Sequence, residues 1–136
     1  MGAIKERKGQ LDTAQAVYLL KDKYPGILYL IVGNVSDQKY VGKIKTYVEK
    51  NQLGNNVLIV GDATDDLDLA FFYQICDVFL LNSTNDGINF EGFGLVILEA
   101  NQFGKPAVGS RDCGIEDAIE EGVNGYLTEQ RNPADI

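Results

Sequence analysis

The residues best suited to chemistry stand together at Glu91-Gly92-Phe93-Gly94-Leu95-Val96-Ile97-Leu98-Glu99-Ala100: an acid, two glycines around an aromatic, an apolar run and a second acid. The pattern predicts a loop that turns into a helix over residues 93–104. Gly92 and Gly94 let the backbone take positive φ and let a ligand approach main-chain N–H groups. The first amides of the helix have no intrahelical partner, and with the positive end of its dipole they attract an anion, for which phosphate is the natural guest. From the helix mouth to Glu99 is about two turns, so at roughly 1.5 Å per residue the two acids stand on the order of 9–12 Å apart. That is wide for the acid/base pair of a glycosidase, which needs about 5–9.5 Å. It suits two acceptors that grip hydroxyls on opposite sides of a bound phosphate, one on a sugar and one on a ribose. The residue types alone leave open a simpler reading, a buried βα unit whose acids only cap and solvate the helix.

Composition narrows the chemistry further. Twelve basic against twenty acidic residues give a formal charge of −8, which disfavours a broad contact with nucleic acid or anionic lipid, so a phosphate must be held locally. There is no histidine, and therefore no His-based general base, serine or cysteine triad or usual zinc site. Cys76 and Cys113 have no metal-type spacing and are expected to be free thiols. No metal site is expected. No run approaches the ~18 apolar residues of a membrane span, and residues 1–8 lack an apolar signal core, which by default points to the cytoplasm.

These residues need a scaffold, and the rest of the chain predicts one. A helical stripe at Leu11, Ala14, Val17, Tyr18 and Leu20 is stopped by Pro25-Gly26, giving a helix over 10–24. The continuous apolar run over 27–32 reads as a strand buried on both faces, closed by Gly33-Asn34. Ser36 is placed to cap a second helix with its stripe at Tyr40, Val41, Ile44, Tyr47 and Val48. A strand over 57–60, a Gly61-Asp62 turn, starting acids Asp65-Asp66, a helix over 67–76 and a strand over 77–81 follow. Residues 82–90 form a polar loop, with Asp86-Gly87 turning just before the motif. Beyond the central helix the pattern gives a short strand at 107–108, a loop over 110–114, a short helix over 115–120, a turn over 122–125 and a last strand at 126–127. Ala3-Ile4 reads as the tail of a strand, so the chain begins inside a fold. Alternating strands and helices specify an α/β fold, a Rossmann-like parallel sheet with helices on both faces, as one domain of 136 residues. In such a sheet ligands bind beyond the carboxyl ends of the strands, so the loops at 2–9, 33, 61, 82–94 and 110–117 should share one rim.

Glu91-Gly-Phe-Gly-Leu-Val-Ile-Leu-Glu99-Ala resembles the signature of the glycosyl transferases group 1 family, retaining enzymes built from two Rossmann-like domains (GT-B), in their donor-binding C-terminal domain. The resemblance runs from Gly2 to the turn over 122–125. It implies transfer of a sugar from a nucleotide diphosphate donor, with retention at the anomeric carbon, commonly without a metal ion or other cofactor. Glu91 and Lys8 are then the catalytic candidates: Glu91 touches hydroxyls of the donor sugar, and Lys8, in the Lys-Gly pair Lys8-Gly9, neutralises the leaving diphosphate. Gly92, Phe93, Gly94 and Leu95 would hold the sugar and phosphates, and Glu99 the ribose hydroxyls. The family motif opens Gly-Arg where this chain has Gly2-Ala3, either natively or because residues 1–3 are a cloning remnant. Pyrophosphate affinity should be lower for it, with Arg7 the available substitute. Cys113-Gly114 stands where the family has two glycines, with Asp117 matching the acid that follows; the residues equally suit a turn and a helix cap.

The resemblance also implies a partner. An N-terminal domain that binds the acceptor is not in this sequence, so the chain is expected to be the donor half, truncated at both ends, binding nucleotide without catalysing transfer alone. Peripheral membrane contact would come only through that missing domain. Other classes stay open: a non-catalytic nucleotide-binding module, for which Glu91 is dispensable, and a sugar-nucleotide epimerase or phosphorylase of the same architecture. A flavodoxin-like receiver accounts less well for two acids flanking a helix mouth.

Overall fold

The computed structural model describes residues 2–61, 66–85 and 91–136. Strands and helices alternate: α1 (Gln10–Leu20), β1 (Tyr29–Gly33), α2 (Gln38–Lys50), β2 (Val57–Gly61), α3 (Asp66–Ile75), β3 (Phe79–Leu81), α4 (Leu95–Gln102), β4 (Ala107–Ser110) and β5 (Gly125–Thr128). Short 3-10 turns at Glu6–Lys8 and Gly114–Ala118 precede α1 and β5. All strand pairings are parallel, which requires a crossover in each connection: α2 between β1 and β2, α4 between β3 and β4, and only the second 3-10 turn between β4 and β5. The expected Asp62, Asp65 and Asp86-Gly87 features lie outside the described residues.

Most boundaries shift by a few residues for local reasons. α1 stops at Leu20 rather than 24, because residues 21–24 tighten into a turn whose Lys23 and Tyr24 amides both return to the Leu20 carbonyl before Pro25. Asp37, not Ser36, caps α2: its Oδ1 accepts from the Tyr40 N–H at 2.9 Å. α2 buries the predicted Tyr40, Val41 and Ile44 and leaves its lysines in water. α4 begins two residues late, since Gly94 takes φ 67° as its N-cap. It ends in a Schellman motif, with Gly104 at φ 72°, its N–H on Asn101 O, and the Lys105 N–H on Ala100 O. The helix expected over 115–120 is a 3-10 turn over Gly114–Ala118.

The sheet departs from the simplest expectation. β1 pairs with β2, from Tyr29↔Val57 to Gly33↔Gly61, and β3-β4-β5 form a second ladder, with β1 and β3 facing each other across a cavity instead of bonding. Two buried clusters correspond to the two ladders. One gathers Ile4, Ala14, Val17, Ile31, Tyr40, Ile44 and Leu53; the other gathers Tyr73, Phe79, Leu81, Ile97, Ala100 and Ile115. Leu30 and Val32 are only partly buried, so β1 is not covered as a central parallel strand should be.

Candidate functional site

The 3-10 turn Glu6–Lys8 is closed by Gly9, whose φ of 67° lets its N–H return to the Glu6 carbonyl. No other residue fits there, because a Cβ would stand 2.0 Å from the Asn82 carbonyl oxygen. That approach docks the turn onto the chain leaving β3, and the Thr84 N–H donates to the Arg7 carbonyl at 2.7 Å. Lys8 and Arg7 are thereby fixed at the carboxyl end of β3, where a parallel sheet offers its ligand site.

Glu91 arrives at the same point from the other side. Its Oε2 receives Lys8 Nζ at 2.5 Å, Arg7 Nη1 at 3.2 Å and the buried Ser83 Oγ at 3.2 Å. The Glu91 and Lys8 side chains are 15% and 18% exposed, so the pair is largely out of water. Burial alone would raise the Glu91 carboxyl, but the bonds and charges of Lys8 and then Arg7 outweigh it and hold the group below the ordinary carboxylate range. The backbone of the motif is clamped from β4: the Gly114 N–H donates to the Glu91 carbonyl at 3.0 Å, and a Cβ on Gly114 would meet Gly92 O at 1.6 Å. Ser110, buried at the end of β4, donates its hydroxyl to the Ser83 carbonyl and ties the two strand ends together.

The rest of the motif follows along α4. Gly94 supplies no side-chain cap, so the helix mouth meets the rim with main chain, and its neighbours Phe93 and Leu95 are exposed there. Because the helix starts at Leu95, the exposed Glu99 lies only about one turn into it rather than the expected two, and it accepts a hydrogen bond of 2.7 Å from the Tyr73 hydroxyl. Tyr73, on α3, is 3% exposed, and its ring stacks on Phe103 at 5.5 Å and packs against Phe79 at 5.7 Å. Burial first, then the Glu99 bond and charge, push its phenol far above the ordinary tyrosine value, so it stays protonated and donates.

The structure therefore brings Lys8, Arg7 and Glu91 into one cluster, with Gly92, Gly94 and Gly114 shaping its backbone and Glu99 further along α4. Asp117, exposed in the 3-10 turn after Gly114, makes no hydrogen bond or ion pair to that cluster among the described residues. Sequence reasoning places Ser83 in the polar loop over 82–90 and Tyr73 in the helix over 67–76 without assigning either to the site. The signal for Tyr73 was present, since a phenol in so apolar a helix must find a hydrogen-bond partner once buried. Both cysteines are free. Among the described residues no group of three or more Cys, Asp or Glu is arranged to hold a metal, and no helix is long and apolar enough to cross a membrane.

The parallel strands with their flanking helices form a Rossmann-like half of a GT-B fold. The model of the glycosyl transferases group 1 family matches residues 1–136, and the chain belongs to that family. Among curated relatives it is 31% identical over 102 residues to an uncharacterised glycosyltransferase of Methanocaldococcus jannaschii, covering 75% of this chain and 27% of that one. Among solved structures it is similar to Anabaena HepE in complex with UDP and glucose, at 28% identity and TM-score 0.85 over 98% of this chain and 35% of that one. The C-terminal domain of the group 1 family protein LpcC from Francisella tularensis shares the fold, with 23% identity and TM-score 0.85 over 99% of this chain and 69% of that domain. The chain thus spans about a quarter to a third of these longer relatives.

Proposed function

We propose that the chain is the donor-binding domain of a retaining glycosyltransferase and holds a nucleotide diphosphate sugar across the mouth of α4. What supports this reading above all is the convergence of Lys8 and Arg7 on Glu91 at that mouth, with Glu99 about one turn along the same helix. The two cations take the diphosphate as charge builds on it in the transition state, and the main chain from Gly92 to Leu95 adds donors for the sugar and phosphates. Arg7 fills the role left open by Ala3. Glu91 turns its carboxylate to hydroxyls of the donor sugar once the diphosphate takes over its cations. Glu99 accepts from the ribose hydroxyls while Tyr73 fixes its direction. Gly114 shapes the loop, and Asp117 is a further donor-binding acid in the turn that follows. Positioning and leaving-group stabilisation need no histidine in this domain. The acceptor site and the closing half of the enzyme belong to an N-terminal domain, so the chain binds donor without transferring sugar alone.

Calorimetric titration with UDP, GDP and ADP, repeated on Lys8→Ala and Glu99→Ala, tests this. UDP comes first because HepE is a UDP complex. The expected dissociation constant is on the order of 0.1–1 mM, near −4 to −5.5 kcal/mol, weakened by both substitutions. A folded chain that binds none of the three, or binds one equally well in both variants, is incompatible with this assignment. Robust sugar transfer by the chain itself would contradict its last part.

A further inference from the structure

Two loops clamp Glu91, and they leave different strands. Ser83, just past β3, donates to its Oε2, and Gly114, in the loop after β4, donates its N–H to the Glu91 carbonyl. At their roots the loops are tied by the Ser110 hydroxyl on the Ser83 carbonyl. A bond at the root is a hinge, and by itself it leaves the outer parts of the loops free to spread.

The outer tie comes from a third strand. Gln130, half-buried two residues past the end of β5, reaches both loops with one side-chain amide. Its Oε1 accepts the Asn85 N–H at 2.9 Å, and its Nε2 donates to the Arg111 carbonyl at 2.7 Å. Asn85 closes the triangle, its Nδ2 donating to the Asp112 carbonyl at 2.6 Å. The base of Gln130 is itself fixed. The Arg111 N–H donates to the Thr128 carbonyl at 2.8 Å, and the Glu129 N–H donates to Asp135 Oδ2 at 2.7 Å, which holds the turn that carries Gln130.

A carboxamide supplies both the donor and the acceptor that this place demands. Reversed, the amide would set its NH2 against an N–H and its oxygen against a carbonyl, so the partners fix which end is which. A carboxylate of the same size would keep the Asn85 bond and put its other oxygen against the Arg111 carbonyl. The backbone at the junction shows the same constraint. Asp112 lies in the left-handed region at φ 59°, unfavourable for a residue with a Cβ, and its carbonyl and N–H are both taken, by Asn85 Nδ2 and by Glu116 Oε1.

We infer that Gln130 is a positioning residue for Glu91. It sets the spacing of the loops that hold the carboxylate of the acid through Ser83 and its main chain through Gly114. Lys8 and Arg7 hang less from this brace, because Gly9 docks their turn on Asn82, ahead of the loop. Gln130 therefore governs the grip on the donor sugar more than the grip on the diphosphate. That consequence rests on the donor site proposed above, whereas the brace itself does not.

The test compares the whole chain with Gln130→Ala and with Gln130→Glu, which keeps the acceptor and loses the donor. Amide exchange without ligand is read at Thr84 and Gly114, which donate to the Arg7 and Glu91 carbonyls and not to Gln130, and at Phe79 at the far end of β3. Both variants should speed Thr84 and Gly114 by about tenfold while Phe79 keeps its rate. No change at the two amides, an equal rise at all three, or parent rates in Gln130→Glu overturns the proposal. Titration with UDP, GDP and ADP and with their glucose esters reads the sugar. For the nucleotide that binds, the affinity ratio of ester to free nucleotide should fall by about threefold in both variants, with the free nucleotide changed by less than about twofold. An unchanged ratio overturns the assignment of Gln130 to the sugar. A parent chain that binds none of the three contradicts the donor site instead, and Gln130 is then judged by exchange alone.

Discussion

Glu91 Oε2 collects Lys8 Nζ, Arg7 Nη1 and Ser83 Oγ, so the acid holds in place the cations assigned to the diphosphate. Glu91→Gln removes the charge but leaves an acceptor, and should cost about 1–2 kcal/mol at pH 7 as a charged hydrogen-bonding group becomes neutral. The folded carboxyl lies below its ordinary value, so its contribution is complete above about pH 4.3, the unfolded value. It is lost as pH falls through the lower folded value. Urea melts of both proteins at pH 7, 5 and 3 should therefore differ equally at the first two and less at the last; a gap that does not change with pH would show that the cluster carries no such charge. The same variant, with Lys8 and Arg7 released, should bind UDP at least as well as the parent while losing any preference for a sugar nucleotide over UDP. Tyr73 makes a separate prediction, because its hydroxyl donates to Glu99 at 2.7 Å. Tyr73→Phe keeps the ring on Phe103 and frees the carboxylate to turn, so nucleotide affinity should drop about threefold to tenfold, or roughly 0.6–1.4 kcal/mol. In a Glu99→Ala background the same change should have no further effect, since the two residues act as one unit. An additive loss would show that Tyr73 acts through packing instead.

Elements meet at this rim through contacts that replace ordinary caps. α1 has Gly9 as its N-cap, without a side-chain acceptor, and the Leu11 N–H in its first turn is met by the Tyr40 hydroxyl of α2 at 2.9 Å. Burial first, despite the Leu11 bond, pushes the Tyr40 phenol up to about 12. Tyr40→Phe leaves that amide without its acceptor and should cost about 1 kcal/mol in urea unfolding, on the scale of a lost N-cap. An unchanged midpoint would mean that water replaces the phenol there at no cost. This cross-helix cap also shows where sequence reading stops. The α2 stripe, the strand cores and the glycines of the motif were legible because period and composition are local. Helix ends were not: Asp37 takes the cap expected of Ser36, and α4 waits for Gly94, since one φ angle or one competing oxygen decides each end. Within the candidate site, Glu91, Lys8 and the glycines were visible as a motif. Gly114 was read as one of a pair at the ligand, whereas here its missing Cβ also makes room for the Gly92 carbonyl. Ser83 and Tyr73 reach the acids only through tertiary packing, which no spacing in the sequence encodes.

The whole molecule carries two buried clusters, one around Ile31 and Ile44 and one around Ile97 and Leu81, each on its own ladder of strands. Cooperative unfolding requires that the loss of one core destabilise the other. Here the coupling runs through the docking of Gly9 on Asn82 and of Arg7 on Thr84, the Asn82 amide on the Thr13 hydroxyl and the pairs of Lys8 and Arg7 with Glu91, while the faces of β1 and β3 that should join the ladders line a cavity. A few hydrogen bonds of about 1 kcal/mol each couple the halves less strongly than a shared strand that buries apolar surface on both sides at about 25 cal/mol per Å². The chain should therefore open in two units. Native-state amide exchange in rising urea should give Ile31 and Ile44 one opening free energy and Ile97 and Leu81 another, separated by about 1 kcal/mol or more. One isotherm for all four amides in the original chain would show that the rim contacts suffice to hold the halves together. The site would then be the seam of the fold as well as its ligand face, and Glu91→Gln should in that case split the isotherm that the parent chain keeps single.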